Sequence, residues 1–189
     1  MKNFRRISQG LDVTPLMLAI QRRPELWKED TYLRDYPQGP FGEIESIMLR
    51  FPPRSVHETE EALKAHDVHI DQHENVDQPA YKILVEARPI VMNLMAYVGG
   101  ERLGRVMINK IKPGGRIYPH ADTPTHANYW DRFHVVLESY PGVDFRCEDE
   151  HVYMPQGTVW WFQNANEHSV TNNSAGDRIH MIVDIRCSQ

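Results

Sequence analysis

Cysteine is nearly absent. Cys147 and Cys187 are the two in 189 residues, and neither belongs to a CxxC pair. That pattern excludes a disulfide framework and points to a reduced, cytoplasmic setting in which both thiols pack as small apolar groups. Long apolar runs are missing as well, since no stretch approaches the roughly 20 residues that span a bilayer. The N-terminal "MKNFRRISQGLDVTPLMLAI" is broken by polar residues and Pro15, where a secretory leader needs a continuous apolar segment. Basic charge is in deficit, with 21 Lys and Arg against 26 Asp and Glu and a formal net charge of -5. Concentrated phosphate contact is therefore not expected, so neither nucleic acid nor a membrane is an expected partner. Repeats and low-complexity tracts do not occur. What remains is a chain that is 41% hydrophobic and 25% charged, enough to bury one core in a single compact domain.

Two halves differ in pattern. Residues 13–30 read as helix, with Thr14 as cap, Pro15 at the first helical position and Pro24 splitting the segment. "YPQGPFGE" is turn chemistry, and "IESIMLRF" alternates like a strand. Residues 52–79 are polar, acidic and poor in large apolar groups, which reads as a long mobile excursion with one helical turn near Glu58–His66. Tyr81–Tyr97 has helical period, divided by Pro89 and ended by Gly99-Gly100. From Gly104 onward, β-branched runs at 105–112, 116–121, 132–138, 143–147, 151–154, 158–163, 167–171 and 178–186 alternate with Gly- and Pro-bearing turns. Eight short strands at that spacing predict an antiparallel sandwich or small barrel, α+β overall, with the N-terminal helices packed on one face. Residues 1–99 are then an N-terminal elaboration, and residues 100–189 the β core.

"RIYPHADTPTHANYWDRFHVVLE", from Arg116 to Glu138, sets histidines, aspartates and arginines on strand-like sequence, and such groups resist burial unless paired or metal-bound. His120 and Asp122 are two apart, so on a strand both face the same way. His168 lies at the start of another strand. Two imidazoles and one carboxylate form a facial triad suited to Fe(II), with three coordination positions left open. On its own, HxD equally describes a surface histidine followed by a turn-forming aspartate. Arg178 sits in the apolar run "DRIHMIVDIR", where an inward guanidinium needs an anionic partner.

HxD, a distant histidine and an arginine ten residues on resemble the Fe(II)/2-oxoglutarate-dependent oxygenases. "GRVMINKIKPGGRIYPH", "DRFHVVLE", "MPQGTVWWFQNANEHSV" and "DRIHMIVDIR" narrow the resemblance to the aspartyl/asparaginyl β-hydroxylase-type family. It implies a double-stranded β-helix, the jelly-roll of cupins. It also implies Fe(II) on His120, Asp122 and His168, with 2-oxoglutarate and O2 consumed and succinate and CO2 released. Arg178 would bind the far carboxylate of 2-oxoglutarate, with Arg132 of "DRFH" and Asn109 as further co-substrate contacts. Animal members have glycine where this chain has Asp122, which is closer to the small bacterial and phage-type members and favours hydroxylation over halogenation. The implied substrate is an amino-acid side chain, free or in a peptide or protein. The alternative is a cupin-like metal-binding protein, or a metal dioxygenase or isomerase, that does not use 2-oxoglutarate.

Among neighbouring residues, Trp130 and Trp161 are either packing or substrate-pocket walls. His126 is expected in an exposed loop bordering the metal, within reach of substrate. His134 and His180 read as supporting core histidines. His57, His66, His69 and His73 match no metal signature and are expected in a solvated loop, with a lid as the functional version. By alternation, Glu167 should point away from the site.

Overall fold

The computed structural model describes residues 1–36, 39–53 and 71–188. Eleven strands are described: β1 (Phe4–Ser8), β2 (Ile44–Phe51), β3 (Val76–Asp77), β4 (Gly100–Ile111), β5 (Arg116–His120), β6 (Asp131–Glu138), β7 (Val143–Cys147), β8 (Glu150–Val152), β9 (Val159–Phe162), β10 (His168–Asn172) and β11 (Arg178–Cys187). They form two antiparallel sheets, one in the order β1-β9-β6-β11-β4-β2-β3 and one in the order β5-β10-β7-β8. The four middle strands β9-β6-β11-β4 face the four of the small sheet, which is the jelly-roll arrangement of a double-stranded β-helix.

Period-two alternation decides what each face of the large sheet does. On β11, Ile179, Met181, Val183 and Ile185 enter the core cluster that also holds Leu16 and Ile20 of the helix Thr14–Gln21 and Val91 and Leu94 of the helix Ala87–Tyr97. The alternate residues Arg178, His180, Ile182 and Asp184 lie on the opposite face, toward the small sheet. β4 and β6 behave alike: Val106, Ile108, Phe133, Val135 and Leu137 join the helical side. Sandwiched between helices and a second sheet, β11 has its first eight residues buried, and each fully buried aliphatic side chain contributes about 1.5–3 kcal/mol. The turn "KPGG" passes the chain from one sheet to the other, and Gly114 supplies the positive φ (82°) it needs.

All eight expected C-terminal strands are present, with ends no more than five residues from those expected. The N-terminal half differs in detail. Phe4–Ser8 forms an edge strand on β9 that the sequence does not announce, because only Phe4 and Ile7 turn inward between the solvent-facing arginines. Val13, not Thr14, precedes the first helix, and the Asp12 carboxylate accepts the Thr14 N–H at 2.9 Å. Pro89 divides nothing. The break falls at 84–86, between the helices Pro79–Ile83 and Ala87–Tyr97, and Pro89 occupies the first turn of the second, where no N–H is needed. Of the expected excursion over 52–79, Val76–Asp77 pairs with β2. Residues 54–70 lie outside the described residues, and with them the helical turn near Glu58–His66, His57, His66 and His69.

Candidate active site

β10 pairs with β5 so that His168 stands directly opposite His120. The two imidazole centroids are 4.3 Å apart. One ligand atom from each of His120, Asp122 and His168 lies within 4.8 Å of the others, so a single ion can reach all three. Each histidine is oriented by the backbone two residues earlier: Nδ1 of His120 donates to the Tyr118 carbonyl at 2.8 Å, and Nδ1 of His168 to the Asn166 carbonyl at 2.8 Å. Both Nε2 atoms are thereby left as metal acceptors. Burial lowers the pKa of His120, and burial together with His120 pulls His168 down to about 4, so both rings are neutral at pH 7, as ligation requires.

Asp122 is held on its Oδ2, which accepts Asn164 Nδ2 at 2.8 Å and Arg132 Nη1 at 2.6 Å, leaving Oδ1 for an ion. Although burial opposes ionisation, Arg132 and Asn164 outweigh it and hold the Asp122 carboxyl below its usual range. Arg132 is committed further. Its Nε and Nη2 donate to the two oxygens of Asp184 at 2.7 and 2.9 Å, a bidentate pair at a position with no exposure on the Asp184 side chain. Arg132 and Asp184 are register partners on β6 and β11. Arg132, expected to reach the co-substrate, lines the cavity below while its donors lock Asp122 to the large sheet.

His120, Asp122, Arg132 and His168 line a cavity between the sheets of about 620 Å³, counted to its open mouth, together with Arg105, Met107, Asn109, His134, Phe145, Phe162 and Arg178. Asn109 Oδ1 accepts the Ser46 hydroxyl at 2.9 Å, which leaves the amide NH2 as a donor. Arg178 is fully buried; its Nη2 donates to His180 Nδ1 at 2.9 Å and its guanidinium carbon lies 5.8 Å from the Phe145 ring centroid. Its Nε and Nη1 have no hydrogen-bond partner among the described residues, and burial drags its pKa down to about 9. A buried cation without an anion is costly. The cavity thus carries an unfilled demand for a carboxylate at Arg178 beside a triad of nitrogen and oxygen donors, which fits both Fe(II) and a diacid that chelates it.

Other expected contacts fall elsewhere. His126 is buried, not exposed, with Nε2 2.9 Å from Asp184 Oδ2 and 2.9 Å from Arg132 Nη2. Trp130 is buried behind the sheet, where its ring approaches the place a Cβ would occupy on Gly104. Trp161 lines an outer groove and donates to Asp131 at 2.9 Å. None of these three lines the cavity. Glu167 is exposed and His134 and His180 are buried. His73 stacks on Tyr129 at 3.6 Å, away from the triad. Asp184, Asn164 and Arg105 escaped the sequence reading; a lone carboxylate in the apolar run "HMIVDIR" was the signal for the first.

The family described as aspartyl/asparaginyl β-hydroxylase matches residues 58–187, more than half of the chain. The chain belongs to that family. It is a 2-oxoglutarate-dependent oxygenase of the hydroxylase class, with Fe(II), 2-oxoglutarate and O2 as its cofactors. Solved structures similar in fold include a viral collagen prolyl hydroxylase from Paramecium bursaria Chlorella virus-1 in complex with 2-oxoglutarate, at 12% identity and TM-score 0.54, covering 99% of this chain and 97% of that one. A Pseudomonas putida prolyl-4-hydroxylase is similar at 12% identity and TM-score 0.51, over 100% and 95%. An oxidoreductase of the 2OG-Fe(II) oxygenase family from Burkholderia pseudomallei is similar at 14% identity and TM-score 0.50, and the match spans 76% of this chain and 66% of that chain. No curated protein sequence matches the chain.

Proposed function

We propose that this chain hydroxylates an amino-acid side chain, free or within a peptide or protein, using His120, Asp122 and His168 to hold Fe(II) and Arg178 to anchor 2-oxoglutarate. The observation that carries the reading is Arg178: a buried guanidinium with two unpartnered nitrogens in the same cavity as the triad. When bound, Fe(II) with 2-oxoglutarate and O2 supplies the oxidation that yields succinate and CO2 and hydroxylates a C–H bond.

The chain's own residues position and exclude. Arg178 receives the far carboxylate on guanidinium donors that are otherwise unpaired. Asn109 offers its amide NH2 along the way. Arg132, fixed by Asp184, keeps Asp122 ionised and aimed with Oδ1 free. The backbone carbonyls of Tyr118 and Asn166 keep both imidazoles in the ligating tautomer. Phe145 and Phe162 wall the cavity against water, which strengthens every charge interaction within it.

Asp122→Ala is the direct test. Succinate formation from 2-oxoglutarate should fall by about 100-fold or more, in line with the loss of a metal ligand that no neighbour replaces. Wild-type turnover in that variant refutes the triad.

A further inference from the structure

Arg105 is the charged group of the cavity that the proposed chemistry leaves unused. It lies on β4, half-buried, and borders both the cavity and a groove outside it; the two spaces share Leu33, Phe41 and Arg105, so the guanidinium stands where the cavity opens outward. Among the described residues no hydrogen bond or ion pair holds it. Its guanidinium carbon lies 5.2 Å from the Phe51 ring centroid. Burial lowers its pKa, while Asp184 and Asp122 act from a distance to raise it and Arg132 to lower it.

Two features decide what such a cation can do. The first is position. Arg178 is opposite Ile111 in the β11–β4 register, six residues along β4 from Arg105, or roughly 20 Å of strand. A five-carbon diacid held at Arg178 and chelating at the triad has used both carboxylates before reaching Arg105. The second is charge. With the histidines neutral, Arg105, Arg132 and Arg178 and a divalent ion face the carboxylates of Asp122 and Asp184 and a dianionic co-substrate. One positive charge is left over, on the side facing the mouth. A half-dehydrated cation in that situation draws an anion.

We propose that Arg105 binds a carboxylate of the primary substrate, so that the molecules hydroxylated are those carrying a carboxylate, with the guanidinium setting which of their carbons faces the metal. This rests on the function proposed above and names its substrate class. Phe51, against which the guanidinium packs, adds a cation–π contact that helps hold it in place.

The test uses the full chain loaded with Mn(II) and saturating 2-oxoglutarate, which binds without turning over. Calorimetry measures a panel of free and N-acetylated amino acids, each carboxylate beside its own carboxamide. For at least one pair the wild type should prefer the carboxylate by about tenfold or more. In Arg105→Gln that preference should vanish, and in Arg105→Lys it should survive in weaker form. The thermal shift that 2-oxoglutarate produces should match wild type in both variants, which shows that the fold and the co-substrate site are intact. A wild type that prefers no carboxylate overturns the proposal, as does a preference that persists in Arg105→Gln. A wild type that 2-oxoglutarate fails to stabilise in the presence of Mn(II) defeats the underlying function instead.

Discussion

Arg178 illustrates how function is stored as local instability. Its guanidinium is fully buried, has two unpartnered nitrogens and is pulled down to a pKa of about 9 by desolvation. Replacing it with a flexible apolar side chain of similar length should therefore have effects of opposite sign. Arg178→Met should stabilise the protein without ligand by about 1–4 kcal/mol, measured by urea denaturation, because an unpaired buried charge is removed. The same variant should weaken 2-oxoglutarate binding by at least about 30-fold, since a desolvated charge pair is lost. A variant destabilised in the absence of ligand shows that Arg178 is already satisfied. The His120-Asp122 spacing and the arginine that opens an apolar strand were legible in sequence because each needs only a few neighbouring positions, although Asp122 falls just past the end of β5. Arg132's commitment to Asp184 was not, since that pair joins positions 52 residues apart.

Edge strand β1 shows the same limit for an element. Its five residues have no hydrophobic stripe to reveal them, and Phe4 makes the strand worth forming. That ring meets Phe145 of the small sheet edge-on at 5.3 Å and Phe162 of the large sheet at 6.3 Å, so it closes one end of the sandwich near the triad. Phe162 in turn packs against His168 at 4.9 Å. Phe4→Ala should cost about 3–5 kcal/mol in urea denaturation by opening a cavity between the sheets. A cost below about 1 kcal/mol implies that β1 is dispensable. The eight later strands were readable because turn residues and β-branched runs repeat there, whereas β1 depends on pairing with residues more than 150 positions away.

Taken as a whole molecule, the interior between the sheets is a set of ionisable groups tuned against acid. Burial lowers the pKa of His120, His134, His168 and His180, with Arg178 adding to the effect at His134 and His180. A histidine whose folded pKa is lowered binds its proton first in the unfolded chain. Stability is therefore full above about 6.5 and falls as pH drops below it, by up to about 1.4 kcal/mol per pH unit for each ring. Asp122 and Asp184 are also lowered, opposed by burial and held down by Arg132, so their contribution is full above 3.8 and is lost below it. Acid unfolding should thus begin near pH 6 and steepen below pH 4. Asp184→Asn should be about 3–5 kcal/mol less stable than wild type at pH 7, with the gap narrowing at pH 3. A gap that is constant across that range removes Asp184 from the acid limb.

Alternation, turn chemistry and composition by themselves determined the β architecture after Gly104, the helical cover and the residues able to ligate iron, because those properties repeat over a few positions of the chain. Only the tertiary structure decided that His168 faces His120, that Arg132 holds Asp122 through Asp184 and that Arg105 stands at the mouth with no ion-pair partner among the described residues. Register between distant strands chooses those neighbours, and a charged residue's role is set by which partner reaches it first.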